Sequence, residues 1–308
     1  MTALRGGYAA GETFAAILIG GGVAGGEAAA AIGLAGGGIA QRLDWPALAA
    51  GIDTAIVAPL IVAEAAGIAD DDLDAGLTVL ADFAVATATP VVIAFSVDQI
   101  DLVSARLFGE TIHALCEPAM AERVAEVVVA AAGAGLAILH DPMRESNNAR
   151  LDRLHEEIGR IAEALKRLTR AEEGSASDVY DRRRSFDAGP GATVMPSAPI
   201  DPGAVRRAIR QRRLRDVFFA GNLFEDPAWD MLLDLFAAEL EGRRVSVSSL
   251  CIAAAVAPTT ALRWITKMTG NGLFVRHPDP IDRRRAFMTL APETSNAMQC
   301  YLAEIARA

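Results

Sequence analysis

The stretch from residue 245 to residue 290 constrains the fold of this chain more than any other part of the sequence. An apolar segment at residues 246–256 predicts a helix, and Ala257-Pro258 interrupts it. A second helix is predicted over residues 259–269, followed by Gly-Asn-Gly, an apolar strand, a proline-containing loop, three arginines and another strand. This order of helix, turn, helix and basic hairpin predicts a winged helix-turn-helix, which places one helix in the major groove of DNA.

Polar side chains of the second helix and the hairpin are the candidates for DNA contact. Threonines at a helix N-terminus can bond phosphates or base edges, and an arginine one turn further along can pair with guanine. Arginines at the tip of a wing enter the minor groove or contact phosphates. The predicted DNA-binding residues are Thr259, Thr260, Arg263, Lys267, Arg276, His277, Arg283, Arg284 and Arg285. Asp282 is predicted to stabilise the wing by an ion pair.

Three motifs within residues 250–290 carry a family resemblance. They are Ala255-Val256 at the end of the first helix, Gly272-Leu273 after the second helix, and Asp282 followed by three arginines. With these motifs the segment resembles the MarR family of winged-helix regulators. The resemblance implies a homodimer that binds palindromic double-stranded DNA through these elements. The chain departs from the family pattern at Ala257, where Ser or Thr usually caps the recognition helix, and at Arg283, where Gly is common.

Charge is distributed unevenly between the two ends of the chain. The net charge is −10, yet residues 201–308 hold 15 Lys and Arg against 12 Asp and Glu, and the remainder carries −13. The basic part contains the predicted helix-turn-helix, as contact with phosphates requires. The acidic part should repel DNA, so we expect it to serve as a dimerisation surface or to contact a protein partner.

Composition excludes several other classes of protein. No run of about 20 apolar residues lacks charges or Gly and Pro breaks, so no membrane span is expected. Three widely spaced cysteines predict buried thiols in a reducing cytoplasm. The histidines are isolated from one another and from cysteine. We therefore expect no metal site, no cofactor and no catalytic activity.

Residues 11–141 alternate apolar runs with alanine-rich helical runs. The apolar runs lie at residues 14–19, 54–58, 90–95 and, more weakly, 112–115. Such alternation predicts an α/β domain with a parallel sheet, of receiver or flavodoxin-like type.

Two interpretations of this domain, besides some other α/β module, remain open. Gly20, Gly22 and Gly25 satisfy the G-x-G-x-x-G pattern after a strand, and Asp44 follows near the distance of a ribose-binding acid. That pattern would make the chain a nucleotide- or redox-sensing repressor.

The other interpretation uses the whole domain, which resembles a response-regulator receiver that has lost its chemistry. The positions concerned are Gly20, Gly21, Ala58, Ser96 and Glu117. The resemblance places glycines at the metal-binding acids, alanine at the phosphorylated aspartate and a carboxylate at the lysine. Phosphoryl transfer needs all three groups, so we expect neither phosphorylation nor bound metal.

A heptad pattern separates the two ends of the chain. In residues 150–170 the apolar positions are Leu151, Leu154, Ile158, Ile161, Leu165 and Leu168. This spacing predicts a coiled-coil dimerisation helix, or alternatively an amphipathic helix packed on its own domain. Residues 171–200 are predicted to be a flexible linker, and residues 201–308 form the winged-helix domain. The sequence therefore predicts a homodimeric transcription regulator, with a protein-interaction adaptor as a further alternative.

Overall fold

The structure, a computed structural model, describes residues 13–52, 60–138, 200–219 and 223–307. The predicted coiled-coil residues 150–170, nearly all of the linker and Ala58 lie outside these ranges. The described residues up to 135 and from 200 onward belong to one compact unit, so the α/β part and the winged-helix part are packed together.

The N-terminal part is built on a five-stranded sheet whose strands are all parallel. The strands are β1 (Phe14–Ile19), β2 (Gly37–Leu43), β3 (Leu60–Glu64), β4 (Val91–Phe95) and β5 (Ile112–Cys116). Their order in the sheet is β2-β1-β3-β4-β5, which is the flavodoxin-like order of doubly wound sheets. The order reverses between β1 and β3, and ligands of such folds bind at that point, beyond the carboxyl ends of the strands.

Helices cover both faces of this sheet because the central strands are apolar on both sides. The helices are α1 (Gly22–Leu34), α2 (Asp70–Thr87), α3 (Ile100–Arg106) and α4 (Met120–Ile138), with 3₁₀ turns at Trp45–Ala50 and Val97–Gln99. On β1, Ala16 and Leu18 pack with α1 and α4, whereas Ile17 and Ile19 belong to the core on the side of α2 and α3. This alternation is the two-residue period of a strand.

The apolar runs at residues 14–19, 90–95 and 112–115 correspond to β1, β4 and β5. The third strand begins after Pro59 and ends at Glu64, although the sequence predicted it at residues 54–58. A carboxylate, and not Ala58, therefore stands at the carboxyl end of that strand. The strand β2 was not predicted, because its glycine-rich and half-exposed edge sequence lacks the apolar signal of the other strands.

The C-terminal part has the element order expected of a winged helix-turn-helix. Its helices are α5 (Pro202–Phe218), α6 (Pro227–Leu240), α7 (Val247–Ala254), α8 (Pro258–Gly270) and α9 (Pro292–Ile305). The strands β6 (Val245–Ser246), β7 (Phe274–Pro278) and β8 (Ala286–Leu290) form an antiparallel sheet in the order β6-β8-β7. Asp201, Asp226 and Ser246 cap α5, α6 and α7 by accepting hydrogen bonds from backbone N–H groups.

One hydrophobic core continues from the sheet through α2 and α3 into the winged helix. Helix α8 lies against β5, the edge strand of the parallel sheet, and α7 contacts α3. No single helix in the described residues is long and apolar enough to cross a membrane; α7 and α8 pass such a test only as a pair bent by 109°. Most of their apolar residues belong to the hydrophobic core, among them Leu250 and Ile265.

Candidate nucleic-acid interface

Helix α8, the predicted recognition helix, presents one of its predicted DNA-binding residues to the parallel sheet. Its apolar positions are buried as the sequence pattern predicts. Thr259 is also buried, with 7% of its surface exposed, and its Oγ1 accepts a hydrogen bond of 3.0 Å from the Cys116 backbone N–H. Thr259, which was predicted to contact DNA, is therefore not on the surface, because α8 packs against β5.

Arg263, one turn further along α8, forms an ion pair with Glu126 of α4. The Glu126 carboxylate is itself buried and lies 3.0 Å from His113 Nδ1 on β5. Hydrogen bonding from His113, together with the charge of Arg263, lowers the pKa of the Glu126 carboxyl despite its burial. Glu126 is therefore an ionised partner for Arg263 at neutral pH.

Arg276 on β7 binds the C-terminal end of α3. Its Nη2 donates to the carbonyl of Ser104 at 2.7 Å and to that of Ala105, and its guanidinium lies 5.3 Å from the centre of the Phe108 ring. Carbonyls at a helix C-terminus carry partial negative charge and favour a cation. Burial lowers the pKa of Arg276, because a charged guanidinium loses hydration there. The two carbonyls replace part of that hydration.

Arg284 at the tip of the hairpin reaches helix α2. It pairs with Asp71 in the first turn of α2, and its Nε lies 4.0 Å from Asp74 Oδ2. Asp282, in contrast, makes its contacts inside the hairpin. It accepts a hydrogen bond of 3.0 Å from the Arg284 backbone N–H, and its carboxylate lies 3.5 Å from Arg285 Nε.

A fourth carboxylate of the α/β part lies at the start of α7, the first helix of the helix-turn-helix. Asp101 on α3 accepts the backbone N–H of Ser248 at 2.9 Å and the hydroxyl of the same serine at 2.7 Å. An acid at this place satisfies the N–H groups that a helix leaves unpaired in its first turn.

The other predicted residues contact only the winged helix itself or are exposed. Lys267 Nζ lies 4.9 Å from the centre of the Trp264 ring, and His277 Nε2 lies 2.9 Å from Thr289 Oγ1. Thr260 is half-buried, whereas Arg283 is exposed, as are Arg285, Lys267 and His277. The nine predicted residues thus divide into four that form a hydrogen bond or an ion pair with described residues of the α/β part and five that do not.

The acids that contact the winged helix were not identified from the sequence. Asp71, Asp101 and Glu126 lie on three different helices, which only the tertiary fold brings to the winged helix. The one sequence signal was the negative charge of the N-terminal part, which was assigned to a protein-contact surface.

Glycine conformations define a second candidate site, at the loop between β1 and α1. Gly20 and Gly22 have φ of 117° and 64°, which other residues rarely adopt. A Cβ on Gly25 would lie 2.7 Å from the Gly20 carbonyl oxygen, whereas one on Gly22 would meet no atom within 4 Å. Asp44 follows the end of β2 beside this loop, since a Cβ on Gly21 would lie 3.1 Å from its Oδ1. In dinucleotide sites the first glycine forms a tight turn, the second lets the pyrophosphate approach the backbone, and the third allows close contact between helix and strand.

Beside this loop, Glu64 stands buried at the carboxyl end of β3, with 4% of its surface exposed. Its Oε1 pairs with Arg123 of α4, and Arg123 also lies 3.3 Å from Glu27 of α1. Glu64 Oε2 has no hydrogen-bond partner among the described residues. Burial, opposed by the charge of Arg123, raises the pKa of the Glu64 carboxyl to about 7.

The remaining receiver-like positions directly follow strands of the sheet. Ser96 follows β4 and caps the 3₁₀ turn behind it, where its hydroxyl bonds Gln99 Oε1 at 3.0 Å. Glu117 follows β5 with a φ of 48°. In the part of the chain that the structure describes, no three His, Cys, Asp or Glu side chains are grouped to hold a metal ion.

Comparison with known proteins gives weak and partial structural similarities. No protein-family model matches the chain, and no curated protein matches it. The apo, heme-free form of PefR is 14% identical with a TM-score of 0.22, over 33% of this chain and 84% of PefR. BpsR of Bordetella bronchiseptica, whose DNA binding is regulated by 6-hydroxynicotinic acid, is 19% identical with a TM-score of 0.22, over 36% of this chain and 79% of BpsR.

Proposed function

We propose that the chain is a sequence-specific transcription regulator that binds double-stranded DNA through its C-terminal winged helix. The observation that carries this proposal is a helix-turn-helix followed by a basic hairpin, in a segment of net positive charge. Exposed Arg283 and Arg285 on that hairpin are placed to contact phosphates or the minor groove. The proposal makes the protein a MarR-like, cytoplasmic homodimer without catalytic activity.

In this proposal the α/β domain is a receiver-like input module that does not depend on phosphorylation. Gly20 and Gly21 follow β1, where a phosphorylated receiver needs acids for a metal ion, and Glu117 replaces the lysine. Glu64 stands at the end of the third strand, but it is buried and paired with Arg123. Attempted phosphorylation with a small phosphoryl donor, followed by mass measurement, tests this point, and a stable addition of one phosphoryl group would contradict it.

The DNA-binding test uses residues whose contacts do not involve the α/β domain. Arg263 and Arg284 are unsuitable, because their replacement would remove an ion pair to that domain together with any DNA contact. Selection from a random duplex library by the full chain gives the preferred site. We expect the double variant Arg283→Ala/Arg285→Ala to bind that site more weakly. The slope of log affinity against log salt should become less steep by about 2, one unit for each lost phosphate contact.

Arg207→Ala/Arg210→Ala is the matched control, because both arginines are exposed but lie on α5, outside the hairpin. We expect this variant to keep the affinity and the salt slope of the wild type. Failure of the full chain to prefer any duplex over random sequence would contradict the regulator function. A homodimer should select a palindromic site, since the symmetry of a dimer is mirrored in its half-sites; a non-palindromic site would count against the dimer.

A second candidate function is a protein-interaction adaptor, in which the winged helix binds protein. The observation that favours it is that Thr259 and Arg276 form hydrogen bonds with the α/β part. Salt distinguishes the two functions, because DNA binding should weaken steeply as salt rises. Absence of salt-sensitive binding to any duplex would favour the adaptor.

The glycine conformations favour a third candidate, a repressor that senses a dinucleotide at Gly20, Gly22 and Gly25. In such a site the pyrophosphate binds at the N-terminus of α1 and an acid such as Asp44 binds the ribose. Calorimetry of the full chain with NAD(H), FAD and ATP tests this. Binding that Asp44→Ala weakens would support it, and absence of heat with all three would rule it out.

A further inference from the structure

We propose that the acidic α/β domain inhibits DNA binding, because it occupies the groups of the winged helix that would contact DNA phosphates. The proposal rests on the proposed DNA-binding function and adds its regulation. Four contacts carry it, made by Asp101, Glu126, Asp71 and the C-terminal end of α3. Each supplies negative charge to a donor that faces DNA in winged helices.

Asp101 is the clearest case of a carboxylate in the place of a DNA phosphate. Backbone N–H groups at helix N-termini are common phosphate ligands in DNA-binding proteins, and the first helix of a helix-turn-helix crosses the DNA backbone. Asp101 gives the first turn of α7 two carboxylate oxygens, one to the Ser248 N–H and one to its hydroxyl. A phosphate bound there would use the same two donors, so Asp101 and a phosphate exclude each other.

Two arginines, on the recognition helix and on the hairpin, also have a carboxylate where DNA would supply a phosphate. Arg263 has its carboxylate partner in Glu126, and Arg284 has its partner in Asp71. Carboxylate and phosphate oxygens accept the same charge-assisted hydrogen bonds from a guanidinium group. The α/β domain thus offers the winged helix a set of anions that substitutes for part of a duplex.

Steric exclusion adds to the electrostatic competition. Thr259 is buried against Cys116, and Arg276 is half-buried against α3. Because α8 lies on β5, it cannot enter a major groove until the two parts separate. The apparent dissociation constant for DNA is then the intrinsic value divided by the fraction of molecules that are open.

The acids of this contact can be removed without changing the DNA-binding residues. The test variant is Asp71→Asn/Asp101→Asn/Glu126→Gln in the full chain, the unlocked variant. The matched control is Asp70→Asn/Asp72→Asn/Asp82→Asn, which changes the charge equally at three exposed positions of α2. We expect the unlocked variant to bind the selected duplex at least about 10-fold more tightly than this control, because it loses three of the contacts that hold the winged helix against the α/β domain.

Thiol labelling measures the opening itself without DNA. The buried thiols Cys116 and Cys251 lie on the two sides of the contact, on β5 and α7. Burial raises the pKa of Cys116 to about 11 and that of Cys251 to about 12, so both should react slowly with a maleimide in the closed form. With Cys300 replaced by serine throughout, we expect the unlocked variant to label several-fold faster than the control variant.

The outcomes separate the two proposals. Tighter DNA binding with faster labelling supports inhibition by the α/β domain. If the wild type binds its duplex and the unlocked variant binds no more tightly than the control, the inhibition is overturned and the regulator stands. If neither binds any duplex although labelling is faster, the DNA-binding function fails. Should the triple variant not fold, Asp71→Asn alone, at a side chain that is 86% exposed, should still strengthen binding about 3-fold.

Discussion

Replacing Trp45 with alanine is expected to lower the free energy of unfolding by about 3–5 kcal/mol. The indole is 2% exposed and packs against α2, where a Cβ on Gly76 would lie only 2.6 Å from its Cε3. Its Nε1 donates a hydrogen bond of 2.6 Å to the backbone carbonyl of Glu64 at the end of β3. The substitution would therefore leave a cavity and an unpaired buried carbonyl beside the switch point of the sheet.

Urea denaturation of the full chain measures this effect, and two further variants interpret it. Trp229→Ala is the matched control, since Trp229 is only half-buried and meets Tyr301 edge-on at 5.0 Å. Trp45→Phe keeps most of the buried ring but removes the N–H donor, so we expect a loss of about 1–3 kcal/mol from the hydrogen bond and the missing ring atoms. A loss for Trp45→Ala no larger than that for Trp229→Ala would contradict the central packing of Trp45.

Local signals made the winged helix predictable from sequence alone. Proline at the first helical turn and a capping acid before it mark the starts of α5 and α6, and both caps are present. The apolar positions of α8 follow its helical period, so the buried side was also predictable. These signals involve residues that are close together in the sequence, so they can be identified without knowledge of the tertiary fold.

Tertiary contacts decided the features that the sequence did not predict. Thr259 and Arg276 have the polar character of a DNA-facing surface, and only the position of the α/β part shows that Thr259 is buried and Arg276 half-buried. The third strand was misplaced because the apolar run continues on both sides of Pro59. The segment after Pro59 forms the strand because it pairs with β1 and β4. That pairing cannot be predicted from the apolar run alone.

That correction changes the chemistry expected at the centre of the sheet. An alanine at the end of the third strand would be inert to pH, whereas Glu64 is a buried acid. Desolvation disfavours its charged form more than Arg123 favours it, which is why its pKa is raised. The α/β domain therefore has a group that titrates near neutral pH beside the candidate ligand loop.

Because of Glu64, we expect the free energy of unfolding of the wild type to fall by about 3 kcal/mol as pH rises from about 4.5 to above 7. The sign follows from the direction of the shift. With a pKa of about 7 in the folded state, against about 4.5 in the unfolded chain, Glu64 binds its proton more tightly when folded. Its contribution is complete below pH 4.5 and is lost as pH rises through 7.

Urea denaturation of wild type and Glu64→Gln at pH 5 and pH 8 measures this contribution. Gln cannot ionise but retains a carbonyl oxygen for Arg123, so the variant should lack the fall of about 3 kcal/mol. Glu27→Gln is the matched control, because Glu27 contacts the same Arg123 but its side chain is 50% exposed; it should keep the wild-type pH dependence. Equal pH dependence in wild type and Glu64→Gln would show that Arg123 outweighs desolvation and holds Glu64 ionised at the end of β3.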